Sequence, residues 1–245
     1  MNASERTGEV YSHLDFENNY PGGMERHYWT LARNRILLSN IQRYLPNPGV
    51  IVDVGCGRGF TVDFLAARGY NCYGVEEGPG KTIETARDRV YTERRPKDLP
   101  EELREHTRTL LFLDVLEHVA DPLQMIEEAR AIFPGARRVM ITVPARSELW
   151  SNYDETFGHY LRYSYEELSQ LLDRAGIDPI RLRYFFHSLY VPMRLVSLLK
   201  RKRRISFNTP GFTRLHSLAA SAFRWEAQLL PSRWPGSSLL AVGRL

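Results

Sequence analysis

The sequence predicts a doubly wound α/β fold, a parallel sheet covered by helices, with a helical insertion ahead of its last strand. Three observations carry this. Short apolar, β-branched runs alternate with stretches of helical period. A glycine-dense loop separates the first such run from the helix after it. Some 50 residues of mostly helical pattern stand between the last two strand candidates. A chain of 245 residues, 43% hydrophobic and 25% charged, can bury its own core. That composition excludes a disordered, collagenous or coiled-coil chain.

Residues 26–44 set Trp29, Ala32, Ile36, Leu37, Ile41 and Tyr44 near one helical face, and Pro46-Asn47-Pro48-Gly49 ends that helix. Residues 50–54, Val-Ile-Val-Asp-Val, read as a strand buried on both faces. A helix over 61–68 closes at Gly69, a second strand covers 71–75 and a second core helix 81–89. Residues 91–100 are polar and leave room for a short third strand. The fourth strand falls at 109–113. Asp121 as cap and Pro122 at the first position open a helix over 122–133. The fifth strand, 138–143, stops at Pro144. Ser164-x-x-Glu167 is a capping box for a helix over 164–175, ended by Gly176. Residues 179–186 and 238–242 are expected as two sheet-edge strands, with helices at 190–199 and 215–230 forming a cap between them. The N-terminal stretch to residue 21 has few apolar side chains and is expected to wrap or fray. The resulting division is a helical cover (1–48), a core (49–186 plus 238–245) and a basic cap (187–237).

Net charge is +4, but from Asp178 onward twelve Lys/Arg face only Asp178 and Glu226. An acidic body with a basic last third points to an anionic partner for that third. Its densest part, Lys200 to Arg204, is five consecutive cations following an apolar helical stretch. This fits a helix packed on the sheet with a solvated basic end, or a peripheral contact with an anionic membrane face, better than nucleic acid, since no aromatic-and-basic platform accompanies it. Two cysteines, Cys56 and Cys72, are too few for a disulfide framework. With no signal segment or bilayer-length apolar run, the expected location is the cytoplasm, at most peripheral to its membrane.

The loop Val54-Gly55-Cys56-Gly57-Arg58-Gly59-Phe60 brings backbone amides close to a ligand. Its G-x-G-x-G spacing is not the G-x-G-x-x-G of dinucleotide folds, which argues against a nicotinamide oxidoreductase. Asp53, just before the loop, would repel a pyrophosphate and welcome a cation. Glu76, at the end of the second strand, is placed to take both hydroxyls of a ribose.

Asp53-Val-Gly-Cys-Gly-Arg-Gly59, Gly74-Val-Glu76 and Leu113-Asp-Val-Leu-Glu-His-Val-Ala-Asp-Pro122 resemble the class I S-adenosylmethionine-dependent methyltransferases over residues 26–176. The resemblance implies a Rossmann-like, seven-stranded, mostly parallel sheet with the cofactor at the carboxyl ends of the first strands. It implies that Gly55, Cys56, Gly57 and Gly59 line the methionine part, that Asp53 orients the amino group, and that Glu76 and Glu77 flank the ribose. Leu113, Asp114, Val115 and Leu116 would lie beside the methionine and sulfonium end. The acid that many members carry after the third strand for the adenine amine has only Asp98 as a candidate here. Leu149-Trp150-Ser151…Asp154…Gly158-His159…Arg162-Tyr163, His27-Tyr28-Trp29…Arg33…Arg35 and Gly236 to Gly243 resemble a bacterial subgroup associated with cell-envelope polysaccharide and glycosyltransfer functions. In that comparison Arg33 is a partner for the cofactor's carboxylate.

Methyl transfer to a hydroxyl needs an aligned acceptor and removal of a proton. His159, oriented by Asp154, is the expected base, with His118 the second candidate. Glu117, Arg146, Trp150, Tyr153, Arg162 and Tyr163 are the expected acceptor contacts, through aromatic stacking and anion pairing. Glu117, His118 and Asp154 could gather an ion, but no tight ligand spacing supports one, and no metal is expected. The reading is S-adenosylmethionine-dependent methylation of a small molecule or glycan, at the oxygen of a sugar, lipid-linked saccharide or related metabolite. Methylation of RNA or protein is the alternative within the class. A non-catalytic cofactor-binding scaffold is the alternative outside it.

Overall fold

The computed structural model describes residues 23–199 and 211–245. The start of the expected N-terminal cover and the basic run from Lys200 to Arg204 lie outside the described residues. Seven strands form one sheet: β1 (Val50–Val54), β2 (Cys72–Glu76), β3 (Val90–Thr92), β4 (Thr107–Leu113), β5 (Arg138–Pro144), β6 (Asp178–Phe185) and β7 (Ser238–Arg244). Their spatial order is β3-β2-β1-β4-β5-β7-β6. The first five run parallel, and β7 is antiparallel to both β5 and β6. The doubly wound, mostly parallel sheet with helices ahead of its last strand is therefore observed. One detail differs from expectation: of the two strands expected at the edge, only β6 is there, and β7 is interior, the other edge being β3. The β7 sequence, Ser-Leu-Leu-Ala-Val-Gly-Arg, is buried on both faces except at Arg244, which a solvent-facing edge would not require.

Alternate strand residues feed two cores. Val52, Val54, Leu110, Phe112, Val139 and Ile141 face one side, and Ile51, Leu111, Leu113, Met140, Leu240 and Val242 the other. The first side is covered by α4 (Pro122–Ile132), through Ile126 and Ala129, and by α6 (Tyr165–Arg174), through Leu168, Leu171 and Leu172. The second is covered by α1 (Tyr28–Tyr44), α2 (Phe60–Ala66) and α8 (Thr213–Leu229). Between these stand α3 (Glu101–His106), α5 (Asn152–Thr156) and α7 (His187–Leu198). The helix expected over 81–89 is a 3-10 turn, Glu84–Arg89, leading directly into β3. The two predicted caps are present. Asp121 accepts from the backbone of Gln124, and Ser164 and Glu167 exchange the two bonds of a capping box.

The insertion between β6 and β7 splits its work. Helix α8 is tied to α1 by Arg35, which donates to Ser217 and Ser221. Helix α7 is held to the turn Ser147–Leu149, where Glu148 accepts from Tyr190, Arg194 and Ser197. No described helix is long and apolar enough to cross a membrane.

The order of the strands decides where a ligand goes. After β1 the chain winds outward to β2 and β3, then returns to place β4 on the other flank of β1. The loops leaving β1 and β4 diverge there and open a crevice at the carboxyl edge.

Candidate active site

A cavity of about 400 Å³ occupies that crevice. Gly55, Cys56 and Gly57 form one wall, Asp114, Glu117 and His118 another. In the glycine loop, Gly55, Gly57 and Gly59 have φ of 74°, 55° and 81°, a region that costs an L-residue with Cβ but not glycine. A Cβ on Gly55 would also sit 2.7 Å from Val115, so the β1 and β4 loops can approach only because that position is glycine. Gly59 serves differently: it precedes α2 and lies off the cavity lining.

Glu76 is pinned under this loop. One carboxylate oxygen accepts from the Gly57 amide at 2.9 Å and the other from the Gly78 amide at 2.7 Å. The sequence suggests only a ribose contact. The structure adds that the same carboxylate holds the loop's shape, with lone pairs left for a diol. Asp53 is 2% exposed and its Oδ1 has no hydrogen-bond partner. Burial raises its pKa to about 7, with nearby Glu76 and Asp114 adding to the rise and Arg33 opposing it. An unpaired carboxyl below a glycine cradle and a second carboxylate at the end of β2 fit the ammonium and the ribose of S-adenosylmethionine.

Asp53→Asn is accordingly expected to act with opposite signs on stability and binding. A carboxyl whose pKa is raised on folding contributes most below its unfolded value, near 4. That contribution is lost as pH rises to about 7. The variant should exceed the parent by roughly 2–4 kcal/mol at pH 8, with the gap closing toward pH 4, while binding the cofactor at least tenfold more weakly. Urea unfolding of both proteins at pH 5 and pH 8 checks the first half, and calorimetric titration the second. A variant no more stable at pH 8 would mean that folding does not raise the Asp53 pKa, its charge being paired or solvated.

Arg33 reaches the floor from α1, donating to Asp114 at 2.6 Å and to Thr61 at 3.2 Å, with its guanidinium 4.9 Å from the Trp29 ring centre. Asp114 takes φ 59° and also accepts from Thr142, which turns the chain sharply out of β4 toward the cavity.

Across the cavity, α5 and the turn after it assemble the expected catalytic groups. Asp154 is fully buried. Its Oδ1 lies 2.9 Å from His159 Nδ1 and accepts from Arg162 Nε at 2.7 Å, while Oδ2 accepts from the Ser151 amide and hydroxyl. Burial works to raise the pKa of Asp154, but the bonds from His159 and Arg162 hold it below the ordinary carboxylate value. The His118 ring meets the His159 ring edge-on, with centroids 4.7 Å apart. Burial, then the neighbouring His159, lowers the pKa of His118 to about 4, so His118 is neutral at physiological pH. Glu117 is 1% exposed, and its carboxyl is pushed well above the ordinary value by burial and by Asp114. Glu117, His118 and His159 place one ligand atom each within 4.8 Å of one another. Asp154, offered by the sequence as a ligand, stands behind His159 instead. The cluster can take up a proton from an acceptor hydroxyl or hold a cation.

The structure brings Tyr153, Glu117 and Arg162 to the cavity, but Arg162 is committed to Asp154 and to the Ala145 carbonyl. Several further expected contacts lie off the lining, Asp53, Glu76 and Val115 among them. Tyr163 is buried and donates to the Leu116 carbonyl, and Leu116 itself packs in the core. The guanidinium of Arg146 stacks on Tyr184 and Tyr190 and pairs with Glu148. Trp150 is half-buried outside the cavity. Glu77 is exposed, and Asp98 is engaged with the Arg95 amide and side chain. Leu189 and Met193 of α7, Phe157 and the Ser237-Ser238 entry to β7 complete the lining. No local motif marks Leu189 and Met193, because a cap inserted between distant strands supplies them.

With this geometry in place, the chain can be set beside known proteins. The model of a family described as a methyltransferase domain matches residues 28–182. A ubiquinone biosynthesis O-methyltransferase of Pseudomonas syringae pv. tomato is 30% identical over 101 residues, covering 38% of this chain and 44% of that relative. The match thus spans less than half of the curated relative. A solved methyltransferase of Thermotoga maritima, described as a possible histamine N-methyltransferase, superposes with a TM-score of 0.55 at 19% identity, over 95% of this chain and 99% of its own. Geranyl diphosphate C-methyltransferase of Streptomyces coelicolor A3(2) gives 0.55 at 16% identity, over 87% and 75%. Identities this low show a shared fold and leave the acceptor open. The chain belongs to the methyltransferase-domain family, and its fold is one that solved methyltransferases share.

Proposed function

We propose that the enzyme methylates a hydroxyl of a small acceptor, a sugar diol, a lipid-linked saccharide or a phenolic ring, seated at Glu117, His118 and His159. The observation that carries this is the buried Asp154, which fixes His159 and Arg162 in the cavity wall across from the glycine loop. The cofactor supplies an electrophilic methyl group on a sulfonium. The chain's residues do the rest. Asp154 sets the ring orientation of His159, neutral His118 adds a second nitrogen, and Tyr153, Phe157, Leu189 and Met193 offer an apolar bed that excludes water. The curated relative's name, an O-methyltransferase, supports oxygen as the acceptor atom, and the likeness of the 149–163 stretch to an envelope-polysaccharide subgroup supports a glycan. Transfer of radiolabelled methyl groups to sugar nucleotides, lipid-linked sugars, phenols and catechols tests the reading. Labelling confined to RNA or protein would overturn it.

The same reading places the protein in the cytoplasm with α7 against an anionic membrane face. Leu189 and Met193 line the cavity, while Val191, Leu195 and Leu198 on the opposite side of the helix are 60%, 54% and 59% exposed. The run from Lys200 to Arg204 follows directly in sequence. An apolar stripe next to five cations suits a bilayer rich in anionic headgroups. Leu195→Ser combined with Leu198→Ser is expected to cut sedimentation with phosphatidylglycerol vesicles at least tenfold without lowering Tm. Equal binding by parent and variant would remove the membrane contact.

A further inference from the structure

We propose that Glu117, His118 and His159 form a site for one divalent cation, which takes the acceptor oxygen. The inference rests on the O-methylation reading above and gives its acceptor site a chemical identity. Three features carry it. The three ligand atoms already lie within 4.8 Å of one another. Ligands at ~2.1 Å from a shared ion are ~3.0–3.4 Å apart when adjacent, so side-chain rotation closes the set. Each imidazole is held by a neighbour: His159 Nδ1 faces Asp154 Oδ1 at 2.9 Å, which leaves Nε2 for an ion, and His118 hydrogen-bonds the Phe157 backbone. That is how proteins prepare a metal-binding histidine, fixing the tautomer and leaving one lone pair directed at the ion. The carboxylate, finally, is not satisfied by the protein. Glu117 is 1% exposed and its Oε2 has no hydrogen-bond partner, although a buried, unpaired carboxylate is costly unless a cation or a proton compensates it.

Two imidazoles and one carboxylate suit Mn²⁺ or Zn²⁺ rather than Ca²⁺ or Mg²⁺, which prefer all-oxygen shells. Three protein ligands leave positions open toward the cavity. Vicinal oxygens of a sugar diol or catechol can fill two of them, a match that a single hydroxyl lacks. The cation lowers the pKa of the bound hydroxyl, whose proton leaves to solvent. The oxygen then attacks the methyl carbon, and the carbon–sulfur bond breaks with its electron pair on sulfur. The products are a methyl ether, the thioether of the spent cofactor and one proton. His159 is then a ligand rather than the base, and Asp154 a positioning residue acting through it.

The test is calorimetric titration of the chelator-treated full chain with MnCl₂ and with ZnCl₂, beside Glu117→Gln and His118→Asn, with melting curves for all three proteins. One equivalent bound in the micromolar range or tighter, weakened at least tenfold in folded variants, is the expected result. No saturable binding by the parent, or binding that the variants leave unchanged, overturns the proposal. A second arm follows methyl transfer with and without EDTA. Turnover that persists in metal-free protein sinks the cation while sparing the O-methylation reading. Tight, variant-sensitive binding in a protein that methylates no hydroxyl leaves the site standing and sinks that reading instead.

Discussion

Asp154→Asn is expected to lower kcat about 100-fold, the upper end of what loss of a partner behind a functional histidine costs, while cofactor affinity stays within threefold. The side chain is fully buried and its two oxygens serve His159, Arg162 and the start of α5. Asparagine retains the shape and one acceptor, but it removes the charge that balances Arg162 and fixes the polarity of His159. Asp154→Ala goes further. It leaves the Arg162 guanidinium, 6% exposed, without its ion-pair partner, and stranding a buried charge costs roughly 3–5 kcal/mol. The alanine variant should therefore melt well below the parent. The asparagine variant, which keeps an acceptor for Arg162, should fall by less, so that kcat of folded asparagine protein reads the chemistry. An asparagine variant that is stable and fully active would reduce Asp154 to a structural anchor.

Glu76→Ala is expected to weaken S-adenosylmethionine binding at least tenfold, or about 1.4 kcal/mol. Two losses combine: the expected ribose contact, and the bonds from the Gly57 and Gly78 amides that hold the glycine loop. Glu76→Gln, which keeps one carbonyl oxygen, should fall between the parent and alanine. Calorimetry on all three proteins gives the order. Unchanged affinity in the alanine variant would place the ribose elsewhere.

Much of the fold was legible because its signals are local. Val50–Val54 is read from its own apolarity, α4 from Asp121-Pro122 and α6 from Ser164-x-x-Glu167. The short helix α5 was hidden inside a loop because its five residues carry no helical period. The interior place of β7 was hidden too, since a chain reversal after a long insertion leaves no mark within the strand. Among the site residues, Asp53, Gly55, Gly57 and Glu76 announce themselves by their position at strand ends. Arg146 and Tyr163 mislead for a physical reason: a guanidinium and a phenol suit ligands, but they equally suit stacking on Tyr184 and bonding to the Leu116 carbonyl.

The sequence alone determined the alternation of elements, hence the sheet and its glycine loop, because those depend on neighbours a few residues apart. Only the tertiary structure decided what meets across the cavity. Arg33 reaches Asp114 over 81 positions, and His118 meets His159 on a separate loop. Leu189 and Met193 arrive from beyond β6 to line the cavity. Those pairings follow from the return of β4 to the flank of β1 and from the helices inserted ahead of β7. Residue spacing cannot encode them, because long connections leave the distance between their ends to packing.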